Sequence, residues 1–387
     1  MSFSKGVDRI SYGGCLIDQR EKDAINDVIN ASNGRMWTLG EQSKIFEQEL
    51  AKETGVKYAV VVNSGSSALL AAMTALHLPE GSKVIVPALN FPTAYSSILQ
   101  NNLMPIVVDC DLKNFNISLD EVKKALVEHP DVKAVVAVHI AGNVVDLIKL
   151  REIVGDRIII SDNCDGYGGL LGDNFIDTYA DISCISMHAA HIISMGEGGA
   201  VLTNNKDYAD RARKIREWGR ASGSDQLTKH EGLPEDYRER YVYEEVGYNF
   251  KPLELQCAMG RVQLTKLADF KMARRVNYIN VRVATEQNPL FTMIEELENA
   301  DNCWFGFPLL TQDRKRVMET FEKHNIETRT VFSGNILRHP AYKNRPHIQV
   351  GDLRNSDYVM RHGMFLSVHP SVTQEMISYM GEIADSL

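Results

Sequence analysis

Residues 186–199 read Ser186-Met187-His188-Ala189-Ala190-His191-Ile192-Ile193-Ser194-Met195-Gly196-Glu197-Gly198-Gly199. The apolar run at 182–187 predicts a buried strand leading into them, and a second apolar run begins at Ala200. Two strands joined by a polar, Gly-rich turn are a common way to aim side chains into a cleft. His188 and His191 stand in that turn, three residues apart.

Upstream, short apolar runs at 58–62, 84–87, 105–109, 134–140 and 157–161 alternate with helical patterns. That rhythm predicts a mostly parallel sheet covered by helices on both faces. Asp162 stands at the carboxyl end of the fifth run, where open α/β sheets build their sites. After the first run comes Asn63-Ser64-Gly65-Ser66-Ser67, then a helix over 68–76. A strand, a Gly/Ser turn and a helix N-terminus make an anion site, because free N–H groups and the positive dipole end point at the turn. A plain serine N-cap reads the same way. Phe91 follows the second run, where a ring is usually core. Ser118 with Glu121 predicts a capping box, and a further helix is expected over 146–154.

The N-terminal residues predict helices over 18–31, stopped by Asn33-Gly34, and over 42–54, ended by Gly55. Trp37 lies between them, in a pocket wall or in a loop with one packed Trp. Residues 206–217 read as a charged helix, 221–246 as a long polar excursion of the kind that is often functional, and 253–287 as largely helical. From Trp304 a small α+β unit is expected: a strand over 304–308, a helix over 314–324, a strand over 326–331 and a last helix from 373. The chain therefore divides into 1–255, an N-terminal arm and large domain, and 256–387, linking helices and a small C-terminal domain. Residues 1–40 are expected to join the small unit or a subunit interface.

The 387 residues allow two or three domain-sized units. A net charge of -9 argues against a general nucleic-acid or anionic-membrane surface. No apolar run approaches a membrane span, and Met1-Ser2-Phe3-Ser4-Lys5-Gly6 lacks a signal-peptide core, so a cytoplasmic location is expected. The six cysteines are scattered, with no C-x-x-C, and read as buried thiols.

The 186–199 stretch resembles the S-F-x-x-x-K-x-x-x-x-G-E-G-G segment of the DegT/DnrJ/EryC1/StrS sugar aminotransferases, and the match in order covers nearly the whole chain. The resemblance implies an aspartate-aminotransferase-like (type I) fold, with a mostly parallel seven-stranded sheet in the large domain. It implies pyridoxal 5'-phosphate or pyridoxamine 5'-phosphate as cofactor. It also assigns roles: Gly65, Ser66, Ser67 and Ser186 around the phosphate, Phe91 on the ring, Asp162 at the ring nitrogen. Gly247-Tyr248-Asn249-Phe250-Lys251 resembles the family's G-x-N-x-R, whose Asn reaches the cofactor phosphate of the neighbouring subunit, so a homodimer with shared sites is implied. Lys251 in place of Arg departs from that pattern.

Where the family has its Schiff-base Lys, this chain has His191. That change resembles the nucleotide-sugar 3-dehydratase branch, as does Asp165, three residues after Asp162, which in that branch is an acid set near the cofactor's 3-hydroxyl. The branch implies bound pyridoxamine phosphate, a nucleotide-linked 4-keto-6-deoxy sugar as substrate, and His191 as acid and base at C4′ and the C3 hydroxyl. An ordinary imidazole pKa of about 6.5 suits both roles. Glutamate would restore the amine, and the setting would be deoxysugar biosynthesis for O-antigen or lipopolysaccharide. One kind of 3-dehydratase carries an iron–sulfur cluster; of its ligand positions only Cys164 is a thiol here, with Ser222-Gly223-Ser224 at the C-x-C, so no metal is expected. Trp37, Arg329, Asn335 and Arg338 are expected to touch substrate. Two alternatives stay open: an aminotransferase using another Lys, and a non-catalytic family member that binds a nucleotide sugar.

Overall fold

The computed structural model describes residues 3–32, 37–222, 226–227 and 230–387. The expected helix stop at Asn33-Gly34, the first residues Met1 and Ser2, and the cluster positions Gly223 and Ser224 lie outside these. The large sheet is built from β1 (Tyr58–Val62), β2 (Lys83–Pro87), β3 (Met104–Val108), β4 (Ala134–Val138), β5 (Ile158–Asp162), β6 (Ile182–Ser186) and β7 (Gly199–Thr203). Their order across the sheet is β1-β7-β6-β5-β4-β2-β3. Every neighbouring pair from β6 to β3 is parallel; β7 runs antiparallel to both β1 and β6.

The strands read as unbroken apolar runs because both sheet faces are covered. Val84 and Val86 enter one buried cluster, and Ile85 between them enters another. The sequence expectation of seven strands holds, with one addition. Ile348–Gln349 pairs in parallel with Ile106 and Val107 and extends the sheet to eight strands. A two-residue strand carries no periodicity that a sequence reading could detect.

Downstream, Phe291–Met293, Gly306–Thr311, Gly363–Ser367 and Arg329–Thr330 form a four-stranded antiparallel sheet, flanked by helices Arg314–Lys323 and Gln374–Asp385. The expected strand over 304–308 starts later, since Trp304 is fully buried and stacks on Tyr278 with centroids 4.1 Å apart. The expected helix over 253–287 is two helices, Glu254–Leu264 and Leu267–Thr285. Between them, buried Lys266 turns to pair with Glu21 and with Asp18, the latter at 3.0 Å. No Gly or Pro marks that break. The N-terminal residues join the downstream unit through a parallel bridge between Ile10 and Ile326. Cys110, Cys184, Cys257 and Cys303 are buried as expected, whereas Cys15 and Cys164 are partly exposed. No helix among the described residues is long and apolar enough to cross a membrane.

Candidate active site

The parallel strands end at a cleft of about 660 Å³. On one side it meets the N-terminus of the helix Gly65–Ala75, which follows β1. Ser64 caps this helix, its Oγ accepting from Ser67 N at 3.0 Å. Ser67 gives its hydroxyl to Asn63 at 2.7 Å and does not line the cleft, unlike the other residues expected around the phosphate. Ser64, Gly65, Ser66 and Ser186 do line it. Gly65 is needed by the packing: a Cβ there would stand 2.6 Å from Ser186 Cβ and 3.0 Å from Cys164 Sγ. The unpaired N–H groups of the first turn can therefore lie against the β6 end and face an anion.

The floor carries two acids. Asp162, at the end of β5, is 3% exposed and accepts from Cys164 N at 3.3 Å. Among the described residues it forms no ion pair, and burial pushes its carboxyl up from the usual range. Asp165 accepts from Ala141 N at 3.1 Å. Burial, and then the charge of Asp162, push its carboxyl up to about 8. Two buried carboxyls that form no ion pair with a lysine or arginine among the described residues fit a ligand that brings a cation, such as a protonated pyridine nitrogen.

The turn between β6 and β7 holds the histidines. Ile192, Ile193 and Met195 are buried beneath it, and Met187 and Met195 bond backbone to backbone at 2.9 Å. This leaves His188 and His191 on the cleft side. His191 Nε2 lies 3.7 Å from Asp165 Oδ1, and Phe305 meets the ring edge-on at 5.3 Å between centroids. The imidazole does not keep its ordinary pKa: burial first, then His188 and Arg274, hold it down to about 3. It is a neutral base across the physiological range. His188 is more exposed, with Nε2 3.9 Å from Glu197.

Phe91 is half-exposed at the rim and meets Phe332 edge-on at 6.4 Å. Arg329 lines the cleft and lies over the Tyr12 ring at 4.1 Å. Three expected substrate contacts do not line it. The carbonyl of Trp37 accepts from Glu254 N at 2.9 Å, away from the cleft. Asn335 is fully buried and gives Nδ2 to Asp357 at 2.8 Å. Arg338 pairs with the same carboxylate at 2.8 and 2.6 Å. Asn249 is also absent from this chain's cleft; its Oδ1 accepts from Lys251 Nζ at 2.6 Å.

The sequence reading passed over His139, Tyr12, Phe305 and Phe332, all of which line the cleft. His139 offers Nδ1 to Val145 N at 3.0 Å and so turns its Nε2–H toward Ser161, also at 3.0 Å. A His inside the apolar run at 134–140, one residue past the observed strand end at Val138, was the available signal. Among the described residues no lysine lines the cleft.

The model of the DegT/DnrJ/EryC1/StrS aminotransferase family matches residues 18–384. A dTDP-4-dehydro-2,6-dideoxy-D-glucose 3-dehydratase of Saccharopolyspora spinosa is 32% identical, over 98% of this chain and 87% of its own. A GDP-4-keto-6-deoxy-D-mannose 3-dehydratase of Escherichia coli O55:H7 is 29% identical, over 95% of this chain and 97% of its own. The structure resembles that of E. coli GDP-4-keto-6-deoxy-D-mannose-3-dehydratase with bound hydrated PLP. The TM-score is 0.88 at 28% identity, covering 97% of this chain and all of the other.

Proposed function

The chain belongs to the DegT/DnrJ/EryC1/StrS family of pyridoxal-phosphate-dependent, sugar-modifying enzymes, and we propose that it is a 3-dehydratase of a nucleotide-linked 4-keto-6-deoxy sugar. The observation that carries this reading is His191: it stands at the cleft beside Asp165, and no lysine lines that cleft among the described residues. Imidazole forms no stable covalent link to the cofactor, so the protein is suited to pyridoxamine phosphate held without one.

The residues present fit that group. The Gly65–Ala75 N-terminus with Ser66 and Ser186 would hold the phosphate, Asp162 the ring nitrogen, and Phe91 one ring face. Asp165 would meet the cofactor's 3-hydroxyl. When bound, the cofactor supplies the amine that captures the 4-keto carbon and a ring that withdraws electrons.

His191 Nε2 would take a proton from the carbon that bears the cofactor's amine and deliver it to the departing C3 hydroxyl, which leaves as water. Burial keeps the imidazole unprotonated in the ligand-free cleft, although it also weakens it as a base. Once it carries the proton, its charge favours ionisation of the Asp165 carboxyl 3.7 Å away, which burial otherwise holds neutral, and the carboxylate then offsets it. Arg329, a cation at the cleft, supports a role in holding substrate or glutamate. Glutamate restores the amine, with no cluster and no reductase.

The test is to incubate purified enzyme with pyridoxamine phosphate, glutamate and 4-keto-6-deoxy sugars on several nucleotides, reading the product by mass. The proposal expects a 4-keto product that has lost one oxygen. A 4-amino product that keeps its C3 hydroxyl would overturn it.

A further inference from the structure

Behind the imidazole lies a second, much smaller cavity of about 10 Å³, bordered by His191, Arg274, Gln263 and His369. Most polar atoms around it are engaged. Gln263 donates to Leu16 O at 2.8 Å and Glu21 at 2.7 Å, and accepts from Ser194 N at 3.2 Å. His369 bonds Gly14 O at 2.9 Å and Ser371 Oγ at 2.7 Å. Two side-chain atoms of the bordering residues remain shut from water without a partner: His191 Nδ1 and Arg274 Nε.

Arg274 is 1% exposed, and among the described residues it pairs with no carboxylate. It donates to the carbonyls of Trp304 and Phe305, at 3.1 Å each, and to that of His191 at 3.5 Å. A buried polar atom left unpaired costs about 1–3 kcal/mol. A cavity of this size holds one water where polar partners converge.

We infer that this cavity is the site of one water joining Arg274 Nε to His191 Nδ1, and that Arg274 is a positioning residue for the imidazole. The inference rests on the reading of His191 as the base. The Nε–H of Arg274 can only donate, so the water receives it on one lone pair. A base needs a bare Nε2, so the ring proton sits on Nδ1 and the water's other lone pair receives it. With its proton on Nδ1, the neutral ring keeps the Nε2 lone pair on the cleft side, where Asp165 at 3.7 Å is beyond hydrogen-bond reach. A water that accepts at Nδ1 holds the base tautomer before substrate arrives; one that donates there would leave Nε2 protonated.

Two measurements on cofactor-loaded enzyme test this without turnover. A crystal structure that resolves ordered waters is expected to show one about 2.7–3.2 Å from Nδ1. Nitrogen-15 histidine spectra, with His191 assigned through His191→Asn, are expected to show the Nδ1-protonated tautomer. In Arg274→Gln the His191 signals should move, and kcat should fall by about 10²-fold with KM unchanged. Arg274→Lys, which keeps the cation if the Gln variant fails to fold, should also move the signals, with a smaller loss of kcat. A dry cavity, an Nε2-protonated ring, or an Arg274→Gln enzyme with full kcat would overturn the inference. Failure of the underlying reading looks different: His191→Asn would then turn over normally while the water and tautomer stayed as described.

Discussion

A carboxyl and an imidazole 3.7 Å apart, both withdrawn from water, do not titrate like their free counterparts. His191 is held down to about 3 and Asp165 pushed up to about 8. His191→Asn should therefore lower dehydration by about 10²–10⁴-fold, the usual contribution of a general acid–base group, with cofactor binding retained. His188→Asn should cost much less, since His188 faces Glu197 at the outer edge of the turn; steady-state kinetics on both variants checks this. Asp165 also sets a pH dependence of stability. Its folded pKa is raised, so its contribution is full below the ordinary carboxylate value and is lost as pH rises through about 8. The buried histidines His139, His191 and His369 have depressed values, so their contribution is already complete above about 6.5. Between pH 6.5 and 8 the cofactor-free protein should thus lose stability to urea, and Asp165→Asn should flatten that slope. An unchanged slope in the variant would contradict the assignment. Asp162, Asp165 and His191 were legible because motif spacing carries them. That Asn335 and Arg338 turn to Asp357 and not to the cleft was not legible, because Asp357 comes near only through the fold.

At the scale of elements, the turn after β1 works only if its helix can approach β6. The close contact of Gly65 with Ser186 predicts that Gly65→Ala destabilises the protein by about 1–3 kcal/mol through overpacking. It also predicts that pyridoxamine phosphate raises the melting temperature of this variant less than that of the unmodified protein. Equal ligand stabilisation, measured by calorimetry, would show that the helix N-terminus is not where the phosphate binds. The strands of the large sheet were legible because both faces are buried and each sequence is an apolar run. The helix break at Lys266 and the strand Ile348–Gln349 were not, since a long-range ion pair sets the first and two edge residues make up the second.

For the whole molecule, the excursion over 221–246 exposes Tyr241, Tyr243 and Val246, the last 85% exposed. Asn249 beside them points to no part of this chain's own cleft. A subunit interface would cover these exposed side chains, and a homodimer is expected by light scattering, with clefts completed by Asn249 of the partner copy. A fully active monomer would contradict it. The claim on which everything turns is that His191 acts where a relative would use a covalent lysine. Borohydride reduction of the pyridoxal-phosphate-loaded enzyme, followed by peptide mapping, tests it most directly. The account predicts no phosphopyridoxyl-lysine peptide in the unmodified protein and a reducible adduct at residue 191 in His191→Lys, which should no longer dehydrate. A phosphopyridoxyl-lysine peptide from the unmodified enzyme would contradict it.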